Sequence, residues 1–164
     1  MTSDCPHRIV LGVGNPDRGD DAAGRKVARL LRWMLPHDVE VAEHGGEATD
    51  LLARLEGAAA AFLVDACASD APAGTVQRFD VSAAALPQRS FGVSTHGFGL
   101  AEAIELARAL GRLPPRCVVY AIEGASFEAG APLSPPVATA VAEVARRMCA
   151  EITGEELRES SRHA

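Results

Sequence analysis

Short runs of branched apolar residues alternate along this chain with stretches of helical period, and that alternation restricts the fold more than any other feature. Arg8-Ile9-Val10-Leu11-Gly12-Val13 reads as a strand buried on both faces. Ala23, Val27, Leu30, Leu31 and Met34 then recur at helical spacing until Pro36. Val39-Glu40-Val41 reads as a second strand, Thr49 to Leu55 as a short helix ended by Gly57, and Ala59 to Val64 as a third strand running into Asp65. Turn chemistry over Asp70 to Gly74 precedes a strand from Thr75 to Phe79, and Leu86 to Gly97 reads as a loop. Leu100, Ala103, Ile104, Ala107 and Leu110 mark one face of another helix, closed by Gly111 and Pro114-Pro115. Arg116 to Ile122 is the last strand. Ser134 is expected to cap a final helix with the buried stripe Val137, Val141, Val144, Met148 and Ile152.

Strands alternating with helices of this length predict βαβ units. The expected fold is therefore α/β, a three-layer sandwich with a twisted, largely parallel sheet of about five strands and helices on both faces. One domain is expected over residues 1–164, with its core in 7–153 and a frayed tail over 154–164.

Composition removes several function classes. Sixteen Lys and Arg against 22 Asp and Glu give a formal charge of −6, which argues against a nucleic-acid binder that neutralises phosphates. No apolar run reaches the roughly 18–20 residues of a membrane span. Met1 to His7 have neither a basic start nor an apolar stretch, so no signal peptide is expected and the expected compartment is the cytoplasm. Cys5, Cys67, Cys117 and Cys149 form no C-x-x-C pair, so neither a zinc ribbon nor a dithiol redox site is indicated. Cys67, Cys117 and Cys149 read as packing residues.

Ligands of open α/β sheets collect beyond the carboxyl ends of the strands. Three polar sites fall there: the run from Gly12 to Asp21 after the first strand, Asp65 after the third, and His96 before a helix. The first run is not a dinucleotide fingerprint, because Asp17 stands where the third glycine belongs and three carboxylates would repel a pyrophosphate. A helix cap or first-turn acid accounts for one of Asp20 and Asp21, but not for both. Taken singly, Asp65 reads as a carboxylate bonded to loop amides and His96 as a structural histidine. Jointly, Asp21, Asp65 and His96 form an N/O set suited to nickel or zinc with positions left open. Without metal, two close carboxylates can share a proton and activate water. A serine triad is disfavoured, since no G-x-S-x-G occurs and Ser94 lies too near His96.

At these residues the sequence resembles the hydrogenase maturation endopeptidases, which trim the C-terminal extension from the large subunit of nickel–iron hydrogenases. Leu11-Gly12-Val13-Gly14-Asn15 with Arg18-Gly19-Asp20-Asp21 and Gly24 is similar to the family's G-x-G-N…D-[DE]-x-x-G signature. Leu63-Val64-Asp65-Ala66, Ser94-Thr95-His96 with Gly99-Leu100, and more weakly Ile122-Glu123-Gly124 with Leu133 to Val137, resemble its later motifs. The resemblance implies that Asp21, Asp65 and His96 contact metal and carry the chemistry, the metal being nickel held by the precursor. Zinc or cadmium would substitute in vitro. It also implies a partner, the large-subunit precursor, cut after a basic residue. Asn15, His44, Gly45 and Gly46 are implied to contact the substrate. His44-Gly45-Gly46-Glu47 departs from the family's acid before Gly-Gly-Thr, which bears on which subunit is served. His44 itself reads either as a solvent-exposed loop residue or as a substrate or extra metal contact. The alternative to a peptidase is a non-catalytic scaffold that recognises the metal-loaded subunit.

Overall fold

The computed structural model describes residues 6–87 and 99–162. Strands β1 (Arg8–Val13), β2 (Val39–His44), β3 (Ala60–Cys67), β4 (Val76–Asp80) and β5 (Arg116–Glu123) form one sheet in the order β2-β1-β3-β5-β4. Helices α1 (Ala23–Met34), α2 (Ala48–Leu55), α3 (Leu100–Ala109) and α4 (Pro135–Arg162) cover it. All pairings are parallel except β4 with β5. The α/β three-layer expectation is met.

Strand alternation divides the core in two. Ile9, Leu11, Ala61, Leu63, Cys117 and Val119 pack toward α2 and α3. Val10, Phe62, Val64, Val118, Tyr120 and Ile122 pack toward α1 and α4. Glu151 of α4 accepts from the Tyr120 hydroxyl at 2.6 Å and from Arg78 at 2.7 and 3.0 Å, tying the last helix to the antiparallel edge.

Several elements differ from their sequence patterns for identifiable reasons. The buried face of α1 is Ala23, Gly24, Val27, Ala28 and Leu31, while Leu30 and Met34 are exposed. Small residues let α1 press directly onto β1: a Cβ at Gly12 would lie 2.3 Å from the Gly24 carbonyl oxygen and 2.6 Å from the Ala28 Cβ. The helix is rotated to use that contact, which turns Leu30 and Met34 outward. Leu110 is exposed because α3 has ended and the chain reverses at Gly111, φ 68°. Strand β3 passes Asp65 to reach Cys67 because β5 continues beside it, pairing Cys67 with Glu123. Helix α4 runs on to Arg162, through the stretch expected to fray. Its predicted stripe, Val137, Val141, Val144, Met148 and Ile152, is buried as expected.

Among the described residues no helix is long and apolar enough to cross a membrane.

Gly24 tests the helix–strand contact. Its added Cβ would stand 2.4 Å from the carbonyl oxygens of both Val13 and Val64. Backbone atoms at that distance cannot rotate away, so Gly24→Ala should cost roughly 1–3 kcal/mol or more, as overpacking does. Thermal unfolding should show a melting temperature several degrees lower; an unchanged melting temperature would contradict the close-approach account.

Candidate active site

The strand order 2-1-3 reverses direction between β1 and β3, and the crevice at their carboxyl ends is where such sheets place ligands. Pairing of β1 with β3 stops at Gly12 opposite Val64, so Asp65 is the first β3 residue past that ladder. From the other side, β1 turns away at Gly14, whose φ of 145° favours glycine. A Cβ there would also stand 1.9 Å from the Asp21 carbonyl oxygen. Gly14 is held by its N–H to the His44 carbonyl at 3.0 Å and by Arg25 Nε donating to its own carbonyl at 2.5 Å. A single 3-10 turn, Gly19–Ala22, then leads into α1. Asp21 lies in this turn, and its Oδ2 accepts the Asn15 N–H at 3.0 Å.

The loop thus brings Asp21 to Asp65. Burial, then the charge of Asp21, holds the Asp65 carboxyl well above the usual carboxylate range, against a smaller opposing effect of the Ala66 N–H. Two acids repelling across a crevice form an oxygen-donor pair that a divalent cation would relieve. They also meet the electrostatic condition for exchanging a proton. His96, the expected third member, lies outside the described residues. Among the described residues no group of three His, Cys, Asp or Glu side chains stands ready for a metal.

Asp20, read from sequence only as a cap or first-turn acid, has a different task. Its carboxylate is fully buried and accepts from the N–H groups of Ala125, Ser126 and Ser134 at 2.8, 3.0 and 2.7 Å. The Ser134 hydroxyl donates to it at 2.8 Å. Ser134 therefore serves Asp20 rather than capping α4 with its hydroxyl. Burial raises the Asp20 pKa, but these donors outweigh it and hold the carboxyl below its ordinary value. With Asp20 N–H donating to the Ser126 carbonyl at 2.8 Å, the β1–α1 loop is fastened to the β5–α4 loop.

His44 is neither exposed nor in a loop; it ends β2, buried. Its Nδ1 accepts the Gly46 N–H at 2.8 Å, which leaves Nε2 to donate to Asp50 at 2.6 Å. Both nitrogens are spent inside the protein, so His44 shapes the following Gly45-Gly46 turn instead of offering a ligand. That turn, with Gly14, Asn15, Pro16 and Arg25, borders a cleft of about 810 Å³. Three of the four residues expected to touch substrate, Asn15, Gly45 and Gly46, therefore line one cavity, and the Asn15 N–H links its wall to Asp21.

Cys67 lies on the Asp65 side of β3 and donates to Glu123 Oε2 at 3.1 Å. Burial first, then Glu123 and Asp65, raises its pKa, so the thiol is a packing group and a poor nucleophile, as expected. Cys117 is buried, its thiol pushed up to about 12 chiefly by burial. Cys149 is only partly buried, with Sγ 3.8 Å from the Met34 carbonyl oxygen.

The hydrogenase maturation protease family profile (HycI) matches residues 25–151, well over half of the chain. The chain belongs to the hydrogenase maturation protease family. The matched stretch contains Asp65 and begins just after Asp21. A hydrogenase maturating endopeptidase of E. coli, HybD, is 26% identical over 94% of this chain and 93% of its own, with a TM-score of 0.72. The HycI [NiFe] hydrogenase maturation protease of Thermococcus kodakarensis KOD1, 22% identical over 90% and 92%, shares the fold with a TM-score of 0.66. The hydrogenase expression/formation protein HupD of Thiocapsa roseopersicina is 26% identical over 125 residues. That match covers 75% of this chain and 56% of HupD, so the chain spans little more than half of that relative's length.

In this member of the family the residues that the sequence pattern does not reveal are second partners rather than first ones. The Asp20-Asp21 doublet was visible, but the donors to Asp20 lie more than a hundred positions away. Asp20→Asn would turn an NH2 group toward donors, and should cost about 2–3 kcal/mol at neutral pH. The wild-type carboxylate is favoured in the fold, so its advantage is full above the unfolded carboxyl pKa and fades as pH falls through the lower folded value. Denaturant unfolding of both proteins across acid pH should show the gap narrowing; a constant gap would refute the ionised clamp.

Proposed function

We propose that this protein is an endopeptidase that removes the C-terminal extension of a nickel-loaded hydrogenase large-subunit precursor in the cytoplasm. What carries the reading is the meeting of Asp21 and Asp65 at the β1/β3 crevice in a chain of this family. Asp21 and Asp65 supply oxygen ligands to the nickel that the substrate brings, and His96 a nitrogen. Zinc or cadmium would occupy the same donors in vitro. A precursor lacking nickel would lack the feature gripped by the acids, so cleavage reports completed metal insertion.

The chemistry is aspartate-run and metal-assisted. A carboxylate of the pair takes a proton as water attacks the scissile carbonyl carbon, and the proton passes to the departing amine. Either Asp21 or Asp65 serves as that base. The substrate's cation lowers the charge repulsion between the acids and polarises the reacting oxygen. Asn15 orients Asp21, and the Gly45-Gly46 turn receives the peptide beside it.

Mass spectrometry of purified precursor after incubation tests this directly. The nickel-loaded form should lose its extension, and the nickel-free form should remain whole. Asp65→Asn should slow cleavage roughly 100-fold or more, the scale of a lost acid–base group, with unfolding little changed. A loaded precursor left at full length by active wild-type protein would favour the scaffold reading instead.

A further inference from the structure

Resting on that reading of the site, we propose that the cleft beside the acids is a subsite for an apolar stretch of substrate next to the scissile bond, with Leu106 as its selecting wall. One residue joins the cleft wall to the acids: Asn15 lines it, and the Asn15 N–H is the donor that holds Asp21. Its volume, about 810 Å³, lies in the range of clefts that take a drug-sized ligand. It is therefore large enough for a short length of chain rather than a single side chain.

The lining decides what that chain carries. Pro16, Ala48 and Leu106 present apolar surface, and glycines at 14, 45 and 46 leave backbone open to close approach. The charged lining residues are Arg25 and Glu47, of opposite sign. Arg25 is committed inward, to the Gly14 carbonyl and, at 3.8 Å, to Glu43. An acidic substrate side chain entering here would lose water, face Glu47 and find Arg25 already engaged, whereas an apolar one removes Leu106 from solvent. Leu106 is off the buried stripe of α3, which runs through Leu100, Ala103, Ile104 and Ala107, and it is 42% exposed. An apolar residue off the core face and on a cleft wall is placed for contact with something that arrives.

The test uses nickel-loaded precursors that differ only in carrying Leu or Asp immediately after the scissile bond. Wild-type protein should favour the Leu form by about tenfold or more in kcat/KM, expressed chiefly in KM. Leu106→Glu should bring the two forms to within about twofold, and Leu106→Ala should fall between. The substituted side chain is at the surface, so circular dichroism should report an intact fold; Leu106→Ala carries the comparison if it does not. Wild-type protein without a preference, or Leu106→Glu that keeps it, would overturn the subsite. If wild type shortens neither precursor, the peptidase reading fails, and equilibrium binding of the same two precursors decides the subsite separately. A binding preference for Leu that Leu106→Glu removes would sustain it, and equal binding would reject it.

Discussion

The contact between α1 and β1, made possible by the missing side chains of Gly12 and Gly24, governs the rest of this structure. With a Cβ at either position the helix would have to retreat, since the obstructing atoms are mainly backbone carbonyls. Because the helix begins so close to the strand, the intervening loop must fold back over the end of β1. That fold-back carries Asp21 over the crevice, where β3 presents Asp65. The same contact rotates α1 and leaves Leu30, Trp33 and Met34 at the surface. A packing constraint between two small residues thus sets the position of a carboxylate that neither touches.

Adjacent, chemically identical side chains have opposite uses here because their surroundings differ. Asp20 faces four donors in a sealed position and is held as a carboxylate, a fastening between loops. Asp21, one residue later, points to the crevice with a single backbone donor on Oδ2 and another acid as neighbour. Burial, then the charge of Asp21, outweighs the Ala66 N–H and pushes Asp65 the other way, toward its protonated form. Donor count against desolvation separates an acid held ionised from one pushed toward its protonated form in this fold.

Much of the architecture was legible in the residue pattern. Branched runs at 9–13, 60–64 and 116–122 became parallel strands, because only burial on both faces suits such runs. The valine and methionine stripe of α4 was read correctly, since its period is purely local. The errors lie where a neighbour overrides the local pattern: Leu30 and Met34 by close packing, Leu110 by an early helix end, and the length of β3 by β5. For the site, the glycine loop with its acids and Asn15, and Asp65, could be picked out by position relative to strands, whereas the Gly-Gly turn is implied only by the family resemblance. His44 could not, because its Asp50 partner and the Gly46 N–H make it structural, and neither bond has a sequence signature.

Local periodicity and strand-end placement were enough to determine the α/β class and to nominate Asp21 and Asp65, because hydrophobic patterning and turn chemistry are properties of neighbouring residues. Which acid would be sealed and which left facing the crevice was decided only on folding. The donors that seal Asp20 come from 125–134, and the wall offered by Leu106 comes from α3. Those contacts exist only once distant segments are brought within hydrogen-bonding and van der Waals range.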